Sequence, residues 1–322
     1  MTVDATILGA GIAGLATAFE LTSRVASVQI IDPAGPPGPH GCSWWAGGML
    51  APHCEGEVTE EVIVRLGRGA AAWWARAGVP LSYRGSLVVT LARDRRELDR
   101  FARRTTAHRL VNAEEIAALE PDLAGRHDRA LFFETEAHLS PRVALATLCE
   151  ALLAKGVTIQ PEARHLGRVI DCRGLHARDS LPDLRGVRGE MAVLRCPEVT
   201  LSRPVRLLHP RHPLYIVPRG DGVFMLGATQ LEGDNRGPVT LRSTVELLNA
   251  AFALHPAFGE AEVIELGADA RPAFPDNIPR ITLTPERMHI NGLFRHGFLM
   301  SPAMAVMAAD YLLAGTTPEL IA

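Results

Sequence analysis

The sequence predicts an α/β fold in two parts: one assembled from separated segments of the chain, and a second, β-sheet-rich α+β part. Three observations predict it. A strand, a glycine turn, a helix and a second strand stand at the extreme N-terminus. Strand and helix alternate again toward the C-terminus, with β-rich sequence between. The chain has 322 residues, more than one ordinary core accommodates.

Composition narrows the function. Hydrophobic residues make up 47% and charged residues 21%, a globular balance that excludes a disordered chain. The formal net charge of −3 provides no basic field for nucleic acid or an anionic membrane. Lys155 is the sole lysine, and it precedes Gly156 at an expected helix end, which argues against Schiff-base chemistry. The five cysteines at 42, 54, 149, 172 and 196 form no CxxC pair, so a reduced chain without a metal site is expected. No signal-like leader and no uncharged apolar run of bilayer length stand out, so the expected location is the cytoplasm.

The elements follow in order. Ala5-Thr6-Ile7-Leu8 reads as a buried strand, Ile12 to Ser23 as a helix and Val28 to Ile31 as the next strand. Pro33 to Gly41 is a loop by its prolines and glycines, and Ser43 to Pro52 reads as a closely laid loop without regular structure. Glu60 to Arg76 reads as one helix with Trp73 and Trp74 inward. Leu81 to Leu91 reads as a strand pair turning near Gly85. The mixed-charge run Arg93 to Arg104 reads as a solvated helix face. Asn112 with Glu115 signals a capped helix start. Ser140-Pro141 opens a second amphipathic helix, which Gly156 closes. Short strands follow at Val157 to Ile159 and at Arg168 to Gly174. Tyr215 to Pro218 and Val223 to Gly227 read as a hairpin turning through Gly220-Asp221-Gly222. Met288 to Gly292 leads into a glycine turn at Phe294 to Gly297, and a final helix runs from about Ser301 to Ala314.

The chemistry-bearing motif is Gly9-Ala10-Gly11-Ile12-Ala13-Gly14, a GxGxxG between a strand and a helix. Gly9 permits the tight turn, Gly11 allows backbone to approach a pyrophosphate, and Gly14 lets the helix close on the sheet. Gly11, Ile12 and Ala13 open the helix, whose free N–H groups suit phosphate charge. Asp32 ends the second strand, where a carboxylate accepts hydrogen bonds from an adenosine ribose, and Pro33 beside it and Gly14 are counted with the cofactor-binding residues. A carboxylate there disfavours a 2′-phosphate and hence NADP; this unit leaves NAD and FAD both open.

Further segments settle that choice by resemblance. Residues 42–52, CSWWAGGMLAP, resemble the S-x-x-A-x-G-M-L-A-P segment of the glycine oxidases of thiamine biosynthesis, FAD enzymes of the D-amino-acid oxidase superfamily. So do, in family order, Leu119-Glu120-Pro121, His138 to Arg142, Arg188-Gly189-Glu190, Tyr215 to Arg219, Gly227-Ala228-Thr229, Arg271-Pro272, and Phe294 to Gly297 continuing to Ser301-Pro302. The resemblance implies a Rossmann-like FAD-binding domain of the glutathione-reductase type, formed by residues 1–80, 137–190 and 262–322. It implies a substrate-binding domain formed by residues 81–136 and 191–261.

It also implies roles. Cys42, Ser43, Ala46, Gly47, Gly48 and Met49 would lie along the cofactor, with Met49 also at the reacting face. Phe294, Arg295, His296, Gly297, Phe298 and Leu299 would meet the pyrimidine end of the flavin, where donors suit developing negative charge. Arg271 would grip the substrate carboxylate through its planar fork, with Arg295 beside it and Tyr215 lining the same pocket. The implied reaction is oxidative deamination of glycine or a similar small amino acid. Hydride passes from Cα to flavin N5, giving an imino acid, and oxygen is turned to hydrogen peroxide. A homo-oligomer is compatible with this reading. Cys42 and His40 stand where a flavin could be attached covalently, and no attachment is expected.

The chain departs from the family pattern at Gln230, where methionine is usual, and at Asp171-Cys172-Arg173-Gly174, a reduced form of the Ala-Ala-Gly signature whose Gly174 is kept among the cofactor contacts. Plain structural readings stand beside these: Met49 as core, Arg271 and Arg295 as salt-bridged arginines, Tyr215 as a strand tyrosine, and His209 and His212 as loop residues. The alternatives are a sarcosine or small D-amino-acid oxidase or dehydrogenase using another acceptor, a flavin-binding subunit without turnover of its own, and an NAD-binding module.

Overall fold

A computed structural model of the chain describes residues 4–24, 26–209 and 213–322. His212 lies outside the described residues. Among them, strands form a six-stranded, a nine-stranded and a two-stranded sheet. The six-stranded sheet runs in the order Arg280–Leu283, Arg287–Asn291, Arg168–Asp171, Ala5–Leu8, Val28–Ile31, Ile159–Gln160. Ala5–Leu8 is central and pairs in parallel on both sides, Ala5 standing opposite Val28 and Arg168. Its four residues are all buried, as a parallel strand covered on both faces requires.

The glycine turn expected from the sequence is present. Gly9 has φ 98°, and a Cβ there would stand 2.7 Å from the Cys172 oxygen. At Gly14 a Cβ would collide with the Gly9 carbonyl, so only glycine lets the helix Ile12–Ser23 seat on its own turn. Ten successive residues of that helix, Ile12 to Leu21, are buried. It packs between the helices Pro141–Ala154 and Gly297–Ala314.

The final helix begins at Gly297, earlier than the expected start near Ser301. Pro302 cannot give an N–H to the Phe298 carbonyl. The Trp74 indole does so instead, at 2.8 Å, which allows the helix to run through the proline. By length and composition Phe294–Ala314 reaches the size of a membrane span, against the expectation that no apolar run does. Here it is a core helix, with Met300, Met304, Ala305, Ala308 and Ala309 buried against the neighbouring helices.

The larger sheet runs Leu231–Glu232, Arg185–Arg195, Val223–Gly227, Leu214–Gly220, Val205–Leu208, Ser86–Thr90, Arg129–Phe133, Arg109–Asn112, with Glu262–Ala273 also paired to Arg185–Arg195. The expected hairpin is there, Val217 opposite Met225. The helix Leu241–Leu254 covers part of this sheet, closing a second core around Phe224, Leu226, Leu247 and Phe258. Arg185–Arg195 and Glu262–Ala273 belong wholly to this sheet, so the expected boundary at 190/191 falls inside a strand.

Other expectations are corrected. Residues 60–76 form two helices, Glu61–Gly67 and Ala70–Arg76. Glycines at 67 and 69 weaken a continuous helix, and a Cβ on Gly67 would press on Leu299 of the final helix at 2.9 Å. Residues 81–91 are not a hairpin. Ser82 pairs with His138, while Ser86–Thr90 joins the large sheet, and Gly85, at φ 74°, turns the chain between the two. The loop at 43–52 contains a turn of 3-10 helix, Cys42–Trp45, and a short strand, Met49–Leu50, paired with Ala137–His138. The strand expected at 157–159 is Ile159–Gln160. The capping box is as expected, with the Glu115 N–H donating to Asn112 Oδ1 and the Asn112 N–H to Glu115 Oε2, both at 2.9 Å.

Candidate active site

A cavity of about 910 Å³ lies between the two large sheets. At one end the strand Ala5–Leu8 delivers the turn Gly9 to Ala13, all five residues of which line the cavity. The helix that follows has Gly11 as its N-cap, no side chain closing that cap and no acidic residue in its first turn. Apart from that of Ile12, its first-turn N–H groups therefore turn their partial positive charge to the cavity. The Ile12 N–H donates to Ser43 Oγ at 3.1 Å.

Asp32 lines the same end and also braces it. The Ala10 N–H donates to its Oδ2 at 2.7 Å and the Ala34 N–H to its Oδ1 at 2.9 Å. Two predicted residues are not at the cavity surface. Gly14 is consumed by packing against Gly9, and Pro33 lies between the lining residues Asp32 and Ala34 without lining the space itself.

The middle of the cavity is walled by Cys42, Ser43, Ala46, Gly47, Gly48 and Met49. Burial and the nearby Asp269 push the Cys42 thiol up to about 11, so it stays protonated. Across from them stand Cys172, Arg173 and Gly174. The Arg173 guanidinium is tied to fully buried Asp171 (Nη2–Oδ2 2.6 Å) and to Asp179 (2.9 Å), so it is fixed to the sheet end. Gln230 also lines the cavity.

Tyr215, Arg271 and Arg295 line the cavity together, as the resemblance implies. Tyr215 is packed on Gly47 and Gly227, where a Cβ would stand 2.9 and 2.7 Å from its ring and hydroxyl respectively. Desolvation raises its pKa, so it presents a phenol. Arg271 is half-buried, and desolvation lowers its pKa from the ordinary arginine value. Its guanidinium lies over Gly189 and, among the described residues, makes one long hydrogen bond, Nη1 donating to the Thr229 carbonyl at 3.4 Å. Among the described residues no carboxylate pairs with it, so its fork is available to an anion.

Arg295 is held differently. Its Nε stands 2.8 Å from Glu55 Oε2 and its Nη2 3.0 Å from Oε1. Arg206 Nη2 joins the same carboxylate at 2.7 Å. Burial would raise the Glu55 pKa, but the Arg295 and Arg206 guanidinium groups outweigh it and hold it well below the carboxylate range. Phe294, His296, Gly297, Phe298 and Leu299 complete this wall. Burial drives His296 down to about 4, so its ring is neutral.

Glu55, Arg206 and Glu136 were not singled out from the sequence. Glu55 follows the Met49 segment by six positions, at the end of the short helix Pro52–Glu55. Arg206 interrupts the apolar strand Val205–Leu208, a signal of a buried charge awaiting a partner.

The cavity fits a dinucleotide. Its volume suits one, the helix end supplies donors for a pyrophosphate, Asp32 faces the space, and an unpaired guanidinium lines the same cavity. A family model described as DAO, FAD dependent oxidoreductase, matches residues 4–311. Over 313 residues the chain is 55% identical to the "Putative thiamine biosynthesis oxidoreductase ThiO" of Rhizobium etli, covering 95% of each. It is 25% identical over 351 residues to the glycine oxidase of Geobacillus kaustophilus, covering 95% of this chain and 92% of that one. The crystal structure of glycine oxidase from that organism superposes with a TM-score of 0.80 at 23% identity, covering 98% of both chains. Iminodiacetate oxidase from Chelativorans sp. BNC1 gives 0.81 at 22%, covering 98% of this chain and 96% of that one, which supports the shared fold.

Proposed function

The chain belongs to the DAO family of FAD dependent oxidoreductases, and from that premise we propose that it oxidatively deaminates glycine or a similar small amino acid for thiazole formation in thiamine biosynthesis. The observation that carries the reading is the placement of the unpaired Arg271 fork in the same cavity as the Gly9–Ala13 turn.

In this reading Gly9, Gly11, Ile12 and Ala13 receive the pyrophosphate and Asp32 the ribose. Gly47, Gly48 and Met49 would hold the ring, together with the turn Phe294 to Leu299. When bound, FAD supplies the two-electron acceptor, with an imino acid and hydrogen peroxide as the overall products when oxygen is the final oxidant. Arg271 takes the substrate carboxylate in a bidentate pair, and the Tyr215 phenol donates beside it. Glu55 holds the Arg295 side chain to the cavity wall, leaving the carboxylate to Arg271. His296 stays neutral and adds no second cation there. An amine arriving uncharged leaves no proton for the chain to remove.

The reading divides the molecule at the cavity. The six-stranded sheet and its helices form the cofactor-binding half. The nine-stranded sheet, including residues 185–195 and 262–273, forms the substrate-binding half. A cytoplasmic setting is part of the reading, and the five free cysteines suit it.

The experiment is direct. Protein purified without added flavin should be yellow and should bleach anaerobically when glycine is added. Oxygen uptake compared with dye reduction then separates an oxidase from a dehydrogenase. A colourless protein that takes up no FAD, or a yellow one that no small amino acid bleaches, overturns the proposal.

A further inference from the structure

Arg219 lies in the strand Leu214–Gly220, four positions after Tyr215, outside the residues that line the cavity. Its side chain leaves the large sheet and reaches main-chain oxygens of two other segments. Nη2 donates to the Gly47 oxygen at 2.8 Å and to the Ala46 oxygen at 3.4 Å, and Nη1 donates to the Leu139 oxygen at 3.2 Å. The Leu139 N–H in turn donates to the Gly48 oxygen at 2.9 Å. Among the described residues no carboxylate pairs with Arg219, so carbonyl dipoles alone hold this cation. Desolvation lowers its pKa to about 10, still charged at neutral pH.

A trans peptide is planar, with its C=O and N–H pointing in opposite directions. Drawing the Ala46 and Gly47 oxygens toward Arg219 therefore turns the N–H groups of Gly47 and Gly48 the other way. Both glycines line the cavity, and Arg219 does not. Among the described residues neither N–H has an acceptor. Two donors are thus aimed into the middle of the cavity by a side chain that never reaches it.

We propose that Arg219 is a positioning residue for the cofactor: it fixes the Ala46–Gly48 backbone so that the Gly47 and Gly48 N–H groups donate to the flavin ring. The inference rests on the FAD reading above. The guanidinium also places an uncompensated positive charge behind the segment, a field that favours electron acceptance by the ring.

The test uses the FAD-loaded protein and two variants, Arg219→Met and Arg219→Lys, each read by FAD dissociation constant and by the reduction potential of the bound flavin. Loss of two oriented donors in Arg219→Met raises the FAD dissociation constant about tenfold and moves the potential to more negative values. Arg219→Lys keeps the charge without the fork, so its potential lies nearer the parent's while its FAD dissociation constant stays raised. Parental values of both quantities in Arg219→Met overturn the inference, as does complete rescue of both by lysine. If Arg219→Met does not fold, a parental FAD dissociation constant in Arg219→Lys is the overturning result. A parent that binds no FAD defeats the functional reading itself, whereas a yellow parent with unaltered variants defeats only the role of Arg219.

Discussion

The indole N–H of Trp74 donates to the main-chain oxygen of Phe298, the carbonyl that Pro302 leaves without a helical amide. Trp74→Phe keeps an aromatic ring in the core and removes the donor, leaving a buried carbonyl unpaired. The expected cost is about 1–3 kcal/mol in denaturant unfolding. Pro302→Ala returns an amide to that oxygen, so in the double variant about 1 kcal/mol of the loss is recovered. Additive effects of the two substitutions would show that the indole bond is not what carries the helix past the proline.

Glu55 is the sole carboxylate bonded to both Arg206 and Arg295 among the described residues. Glu55→Gln leaves two guanidinium groups in a desolvated wall without their counter-charge, and a loss of about 3–5 kcal/mol is expected at neutral pH. The folded pKa of Glu55 lies below the ordinary 4.5. Its contribution is therefore complete above that value and is lost as pH falls through the lower, folded value. The stability gap between parent and variant should narrow in acid. A gap that stays constant on acidification would argue that Glu55 is not ionised in the fold.

Glu136 behaves in the opposite sense. Burial pushes its carboxyl up to about 7 against an ordinary 4.5. The folded state keeps the proton longer than the unfolded one, so the group imposes no cost below 4.5 and its full cost above 7. Glu136→Gln retains an oxygen for the Cys54 N–H, which donates to Glu136 Oε1 at 2.8 Å. The variant is expected to exceed the parent by about 3 kcal/mol at about pH 8 and to match it near about pH 4.5. Unfolding curves at the two pH values check this.

Arg271 and Gly189 are paired in the same way as a hand and the space it needs. Arg271→Ala removes the free fork and should lower kcat/KM for glycine by about 2–5 kcal/mol in activation free energy, while bound FAD is retained. Gly189→Ala places a methyl where the guanidinium now lies. It should raise KM while leaving FAD absorbance unchanged. An unaltered KM in Gly189→Ala, or parental turnover in Arg271→Ala, would move the carboxylate site elsewhere.

The parts of the fold that were legible in the sequence are those whose cause is local. The glycine turn, the Asn112 box and the 214–227 hairpin each depend on residues a few positions apart. The parts that were not legible depend on distant partners. Arg295 and Glu55 are 240 residues apart in sequence, and Arg206 and Glu55 are 151. Nothing near Glu55 says that its charge is answered. The start of the last helix is hidden for the same reason, because Trp74 is 224 residues from the carbonyl it satisfies. The segments at 42–52, 215–219 and 294–302 that resemble the family carry most of the cavity wall, whereas the ion-pair network behind it joins residues that no local pattern links.

The six-stranded sheet interleaves strands from residues 5–31, 159–171 and 280–291, and the helix ending at Ala314 packs on the one that follows the glycine turn. A nascent chain can therefore display its glycine turn early, yet the cleft has no floor until residues 287–314 have left the ribosome. Loading of the cofactor is consequently a late event, one that waits for the whole chain.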